Sequence, residues 1–166
     1  MRTVLSTICL LAGVTNAATA QTAEEISRRI NAQDCAGLLS VVTERAKASD
    51  PVGQRQLAAM YYWGCGTDRD TGPALSWCSA AADKGDAIAA DMIGRIYETG
   101  YAGLNADLTV ATQWFRKAAD RGNADADKKL AWLTENGWGG LARDLGQAMV
   151  WWQTAATGAM RKVRPG

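Results

Sequence analysis

Histidine is missing from all 166 residues. That excludes Ser-His-Asp and Cys-His catalysis, and every metal site built on imidazole. The patterns G-x-x-x-x-G-K-[ST], G-x-S-x-G and C-x-x-C do not occur, nor do the S-x-x-K and K-T-G of serine β-lactam enzymes. An excess of one charge is lacking too: 18 Lys and Arg stand against 17 Asp and Glu. The signs are interspersed, and Arg28-Arg29, Arg116-Lys117 and Lys128-Lys129 all have acidic neighbours. No field of one sign is therefore available to steer nucleic acid or to hold an anionic membrane surface. Alternating β-branched runs and Asn-Gly turns are absent, which argues against hairpins of strands. No apolar run reaches the about 20 residues that a membrane-spanning helix needs.

What is present begins with an export pattern. Arg2 is followed by the apolar "VLSTICLLAGV" and by "TNAATA", which ends in A-x-A at Ala18-Thr19-Ala20. Residues 1–20 read as a secretory signal peptide cut before Gln21, so the expected location is periplasmic or secreted. Cys9 lies inside that segment without the small residues that precede a lipid-modified cysteine. Without Arg2 the basic residues number 17, equal to the 17 acidic ones. The remaining chain is long enough for one domain with a real core.

A period then organises the chain. Trp77, Trp114 and Trp151 stand 37 residues apart, as do Ala81-Ala82, Ala118-Ala119 and Ala155-Ala156. A fixed period of this length marks a stacked helical array. Each copy opens with a helix containing "LAAMYYWG", "IGRIYETG" or "LAWLTENG". Gly64, Gly100 and Gly137 end these helices, where a left-handed turn suits glycine. Asp70, Asp107 and Asp144 close the following loops and are placed to cap the second helices. Ala74, Trp77, Cys78 and Ala81 share one face of a helix, as do Ala111, Trp114, Phe115 and Ala118, with Trp114 expected as a buried structural ring. Asp68/Asp70 and Asp125/Asp127 invite comparison with acid–base pairs, but they sit at loops and helix starts where capping accounts for them. The units are 51–86, 87–123 and 124–160, with a short basic tail at 161–166.

Residues 21–50 read as a capping hairpin. Thr22 and Glu25 have capping-box spacing. Asp34 is placed to cap a second helix begun by Cys35, with Leu38, Leu39, Val41 and Val42 on its inner face. Asp50-Pro51 starts the first full repeat. No polar cap follows the last helix, so Trp151 and Trp152 are expected to leave an apolar end open to self-association. Three cysteines remain beyond residue 20. Cys78 occupies the core position of Phe115 and Trp152 and is expected as a buried free thiol. Stacked repeats place loops along one edge, so Cys35 and Cys65 are the expected disulfide, with Cys65–Cys78 as the alternative.

The stretch "LAAMYYWGCGTDRDTGPALSWCSAAADKG" and its two later copies resemble the Sel-1-like repeat family, relatives of tetratricopeptide repeats. The likeness is dense through 57–86 and 93–123 and looser through 130–158. Ala58 replaces the usual glycine in the first copy and Thr134 the usual tyrosine in the third. The resemblance implies an all-α, right-handed superhelical solenoid of αα-hairpins that binds proteins, without cofactor, metal or catalytic residues. Exported members are adaptors, regulators of envelope signalling, or immunity proteins against secreted toxins. Some cysteine-rich relatives have been linked to weak β-lactam hydrolysis, which leaves a hydrolase of β-lactam or peptidoglycan-like substrates as a lesser alternative. Related superhelices hold partners in the groove lined by the first helix of each repeat. Carried over, that register gives Arg55, Ala59, Tyr62 and Trp63, then Asp91, Arg95, Glu98 and Thr99, then Lys128, Trp132, Glu135 and Asn136.

Overall fold

The computed structural model describes residues 22–158. The expected signal peptide and the basic tail lie outside them. The described residues form eight helices and no strand: α1 Ala23–Asn31, α2 Leu38–Lys47, α3 Pro51–Trp63, α4 Thr71–Asp83, α5 Ala87–Thr99, α6 Leu108–Asp120, α7 Ala124–Asn136 and α8 Leu145–Thr157, with a 3₁₀ turn at Tyr101–Gly103. Within each repeat the two helices pack together, α3 with α4, α5 with α6 and α7 with α8, and the pairs stack into an all-α solenoid; the expected capping hairpin differs, since α1 packs on α3 rather than on α2.

The helix ends explain the register. Thr22 accepts the Glu25 N–H at 3.2 Å, and Asp50 accepts that of Val52 at 3.0 Å with Pro51 first in the helix. Asp70, Asp107 and Asp144 cap α4, α6 and α8 as expected, each accepting a backbone N–H at 2.9 Å. Asp86 and Asn123 do the same for α5 and α7. Gly64, Gly100 and Gly137 close α3, α5 and α7 at φ between +64° and +71°. One assignment is corrected. Asp34 caps nothing; it pairs with Arg29 of α1 at 2.8 Å, and α2 begins later, at Leu38, after Gly37 in the left-handed region. Cys35 thus precedes the helix rather than starting it.

Two core clusters join end to end. The first holds Ile26, Ile30, Leu38, Val42, Leu57 and Met60 around Cys35 and Cys65. The second holds Ala58, Cys78, Ile93, Phe115, Leu130 and Leu133, and Trp77 packs against both. Cys35 and Cys65 form the disulfide, their Cα atoms 5.5 Å apart, and Cys78 is free and buried. The expectation for Trp114 needs correcting as well. Cys78 and Phe115 are fully enclosed, whereas Trp77 and Trp114 are half-buried. Adjacent helical residues point about 100° apart, so the buried face is centred one residue later than expected. Trp114 instead carries the Lys117 ammonium 3.9 Å above its ring. On α8 the order reverses: Trp151 is buried and Trp152 lies exposed, because no described helix packs beyond it.

Candidate protein-binding groove

The first helices of the hairpins leave a concave surface of about 1020 Å³, walled by α1, α3 and α5 and closed at one edge by Lys129 of α7. On α3 its lining residues are Val52, Arg55, Gln56, Ala59, Tyr62 and Trp63; on α5 they are Ile88, Met92, Arg95, Glu98 and Thr99. The two sets match in repeat register, Val52 with Ile88, Gln56 with Met92 and Ala59 with Arg95. One stripe of each helix therefore faces the groove. Gln56 ties the third wall in place. Its amide nitrogen donates to the Ala23 carbonyl at 2.6 Å and to Ser27 Oγ at 2.9 Å. This is why α1 stands beside α3 with Glu24, Ser27 and Arg28 on the lining.

Charges in the groove are held by neighbours. Arg55 Nε donates to Asp86 Oδ2 at 2.9 Å, with both side chains largely buried. Arg95 Nε donates to Asp91 Oδ2 at 2.6 Å, and Lys129 Nζ reaches Glu98 at 2.8 Å. Asp91 lies beneath Arg95, only 5% exposed, and its Oδ1 has no hydrogen-bond partner. Burial pushes the Asp91 carboxyl above the usual carboxylate range, against the opposing pull of Arg95. At the far end, Tyr62 meets Trp63 edge-on at 4.5 Å and Tyr101 at 4.7 Å, with Arg69 over the Tyr101 ring. Burial also raises the Tyr62 hydroxyl, which keeps it a neutral donor.

Of the residues expected on the groove, the structure brings together Arg55, Ala59, Tyr62, Trp63, Arg95, Glu98 and Thr99. Asp91 is a support under the wall. Lys128, Trp132, Glu135 and Asn136 do not line the concavity. Lys128 pairs with Asp125 at 2.9 Å on an exposed surface, and Trp132 packs edge-on to Trp138 at 4.8 Å, both rings largely open. The neighbouring Lys129 points inward instead. Sequence reasoning missed Val52, Gln56, Ile88, Met92, Lys129 and all of α1; the spacing 52, 56, 59, 63 was the available signal. A second open apolar surface lies on α8, where Leu145, Met149 and Trp152 are exposed at i, i+4 and i+7.

The groove lining offers hydrogen bonds, charge and apolar surface. No group of metal-ligating side chains occurs among the described residues. The Cys78 thiol, buried in the core, is pushed up to about 12, by burial first and by Asp86 second, so it is protonated at neutral pH. Aromatic rings, methionine and arginines on a rigid concave wall are what protein recognition uses.

Three consecutive segments, 51–86, 87–123 and 124–159, match the model of the Sel1 repeat. The chain belongs to the Sel1 repeat family. Proteins of this family generally mediate protein–protein interactions and are typically non-enzymatic scaffolds. Among solved structures, a Sel1 repeat protein from Oxalobacter formigenes is 26% identical, with a TM-score of 0.72 over 83% of this chain and 54% of that one. A protective antigen present in uropathogenic Escherichia coli strains, which displays an SLR fold, is 30% identical with a TM-score of 0.68, covering 85% of this chain and 32% of that one. The chain thus spans about half the length of the first and a third of the second. Cysteine-rich protein B of Helicobacter pylori shares the fold at 16% identity and a TM-score of 0.56, over 84% of this chain and 92% of that one. No curated protein matches the chain in sequence.

Proposed function

We propose that this Sel1 repeat protein is an exported, non-enzymatic adaptor or regulator that holds a protein partner in the groove of α1, α3 and α5. The observation that carries the reading is the pairing of rigid polar walls with open apolar anchors. Trp63 and Ile88 are 44% and 50% exposed at opposite ends of the groove, whose walls are tied together by Arg55 with Asp86 and by Lys129 with Glu98. Free apolar surface of this kind, rimmed by charge, marks interaction sites. Export is supported by the sequence of residues 1–20 and by the disulfide, a bond suited to an oxidising compartment. A photocrosslinking residue placed at Trp63, with a control at exposed Arg116 on α6, tests the site in intact cells. A discrete adduct is expected from position 63 and lost with Tyr62→Ala. Equal labelling from both positions would reject the groove, and an intact mass retaining residues 1–20 would reject export.

A further inference from the structure

Arg55 and Arg95, two of the three arginines on the groove lining, are each tethered to a buried carboxylate. Each is tethered through Nε alone, Arg55 to Asp86 and Arg95 to Asp91, and among the described residues neither donates a hydrogen bond from its terminal nitrogens. Arg45, outside the groove, differs: it spends Nε and one terminal nitrogen on Asp50 and the other on Gln56. A guanidinium fixed by Nε keeps its terminal N–H groups in a set plane, and such a pair accepts a carboxylate with two donors. The tether also removes rotamer freedom before any partner arrives.

Most of the other charged groups on the lining are already paired, Glu24 of α1 excepted. Lys129 and Glu98 satisfy each other, and Arg28 pairs with Glu25 at the rim. Asp86 is one-tenth exposed and Asp91 less, so their charge is withdrawn behind the arginines that cover them. Among the lining side chains the terminal N–H groups of Arg55 and Arg95 are unspent donors, and Glu24 of α1 is the acidic group left on the same lining. Apolar surface lies on both sides of it, Ile88 and Met92 toward one end and Tyr62 and Trp63 toward the other. Arg55 corresponds in register to Asp91, so Arg95 stands four residues further along, about 6 Å of helix rise. Two carboxylates that reach both arginines are therefore spaced apart along the ligand.

We propose, building on the groove reading, that the partner presents an acidic segment: two separated Asp or Glu carboxylates received by Arg55 and Arg95, flanked by large apolar side chains on Ile88 and Trp63. The test uses the whole disulfide-bonded chain and a phage-displayed random dodecapeptide library. Selected peptides should be enriched in Asp and Glu beside Trp, Phe, Leu or Ile. A fluorescein-labelled winner should lose at least tenfold in affinity with Arg55→Gln and again with Arg95→Gln, and at least tenfold between 50 and 500 mM NaCl. Because either variant also removes its tether, the unsubstituted protein supplies a second readout: the arginine Nε–H resonances of Arg55 and Arg95 should shift on peptide addition, and that of Arg45 should not. Neutral or basic winners that depend on Tyr62 and Trp63 would overturn the acidic assignment and leave the groove standing. Winners indifferent to Tyr62→Ala and Trp63→Ala, or no enrichment at all, would overturn both.

Discussion

Phe115 lies where a side chain on Gly94 would have to be. A Cβ built on Gly94 falls 2.6 Å from Phe115 Cε1 and 2.7 Å from Cδ1. The ring presses directly on the α5 backbone and locks the second hairpin. The other repeats have alanine at this register, Ala58 and Ala131, and at the register of Phe115 they carry the small Cys78 and Trp152, which remains 44% exposed. Size is thus matched in the first two hairpins, Gly with Phe and Ala with Cys.

That match sets the first prediction. Gly94→Ala should cost about 1–3 kcal/mol through overpacking, despite the better helix propensity of alanine. Phe115→Ala should cost about 3–5 kcal/mol through its cavity. In the Phe115→Ala background, Gly94→Ala should cost nothing or restore stability, since its methyl enters the vacated space. Urea midpoints of the four proteins decide it. Simple addition of the two losses would show that the ring and the glycine do not compete for one space.

Trp114 gives a contrasting case. Half-buried and covered by Lys117, it should cost only about 1–2 kcal/mol on truncation to alanine, from partial burial and the cation–π contact. A loss equal to that of Phe115→Ala, measured the same way, would return Trp114 to the centre of the core.

The fold was legible because its signals are local and repeated. A 37-residue period, acidic caps at 70, 107 and 144, and glycines at 64, 100 and 137 each act within one turn of helix, and three copies reinforce one another. The Cys35–Cys65 bond was legible for a related reason, since stacking aligns the loops. What escaped depends on angles that adjacent residues share closely. Trp114 and Phe115, like Lys128 and Lys129, differ by one step around a helix, and both alternatives keep an apolar or basic residue on either face. The tertiary packing chooses between them. Asp34 escaped because Arg29 competes for its carboxylate, an interaction five residues back that no capping pattern records.

Reduction should separate the three cysteines cleanly. Opening Cys35–Cys65 frees a loop of 30 residues and should cost about 3–4 kcal/mol, from regained entropy of the unfolded chain. Before reduction, in a chain beginning at Gln21 and so lacking Cys9, a thiol reagent at pH 8 should find nothing in the native protein and one thiol after unfolding in urea, that of Cys78. Rapid native labelling of Cys78 would contradict both its burial and its raised pKa.

The last prediction concerns pH and follows from Asp91. Burial raises its folded-state carboxyl above the usual 3.8, and the Arg95 pair only partly offsets that cost. In the unfolded chain the carboxyl ionises normally, so over the window between 3.8 and the raised value the folded state binds more protons. Stability from this group is present below 3.8 and is lost as pH climbs through the folded value. Asp34, Asp50 and Asp125 behave oppositely. Their carboxyls are held low: Arg29 does this for Asp34 and Lys128 for Asp125. At Asp50 burial is outweighed by Arg45 together with backbone N–H groups. They stabilise the fold above the ordinary carboxylate range, and that contribution disappears as pH falls. The whole-protein profile mixes both signs, so the informative quantity is a difference. Asp91→Asn keeps the shape and an acceptor for Arg95 but removes the titration. Its stability relative to the unsubstituted protein should rise with pH across the window and then level off, while the other three carboxyls cancel between the two proteins. A relative stability that falls as pH rises would mean that the ion pair to Arg95 outweighs burial, and that Asp91 is held ionised for the sake of the groove.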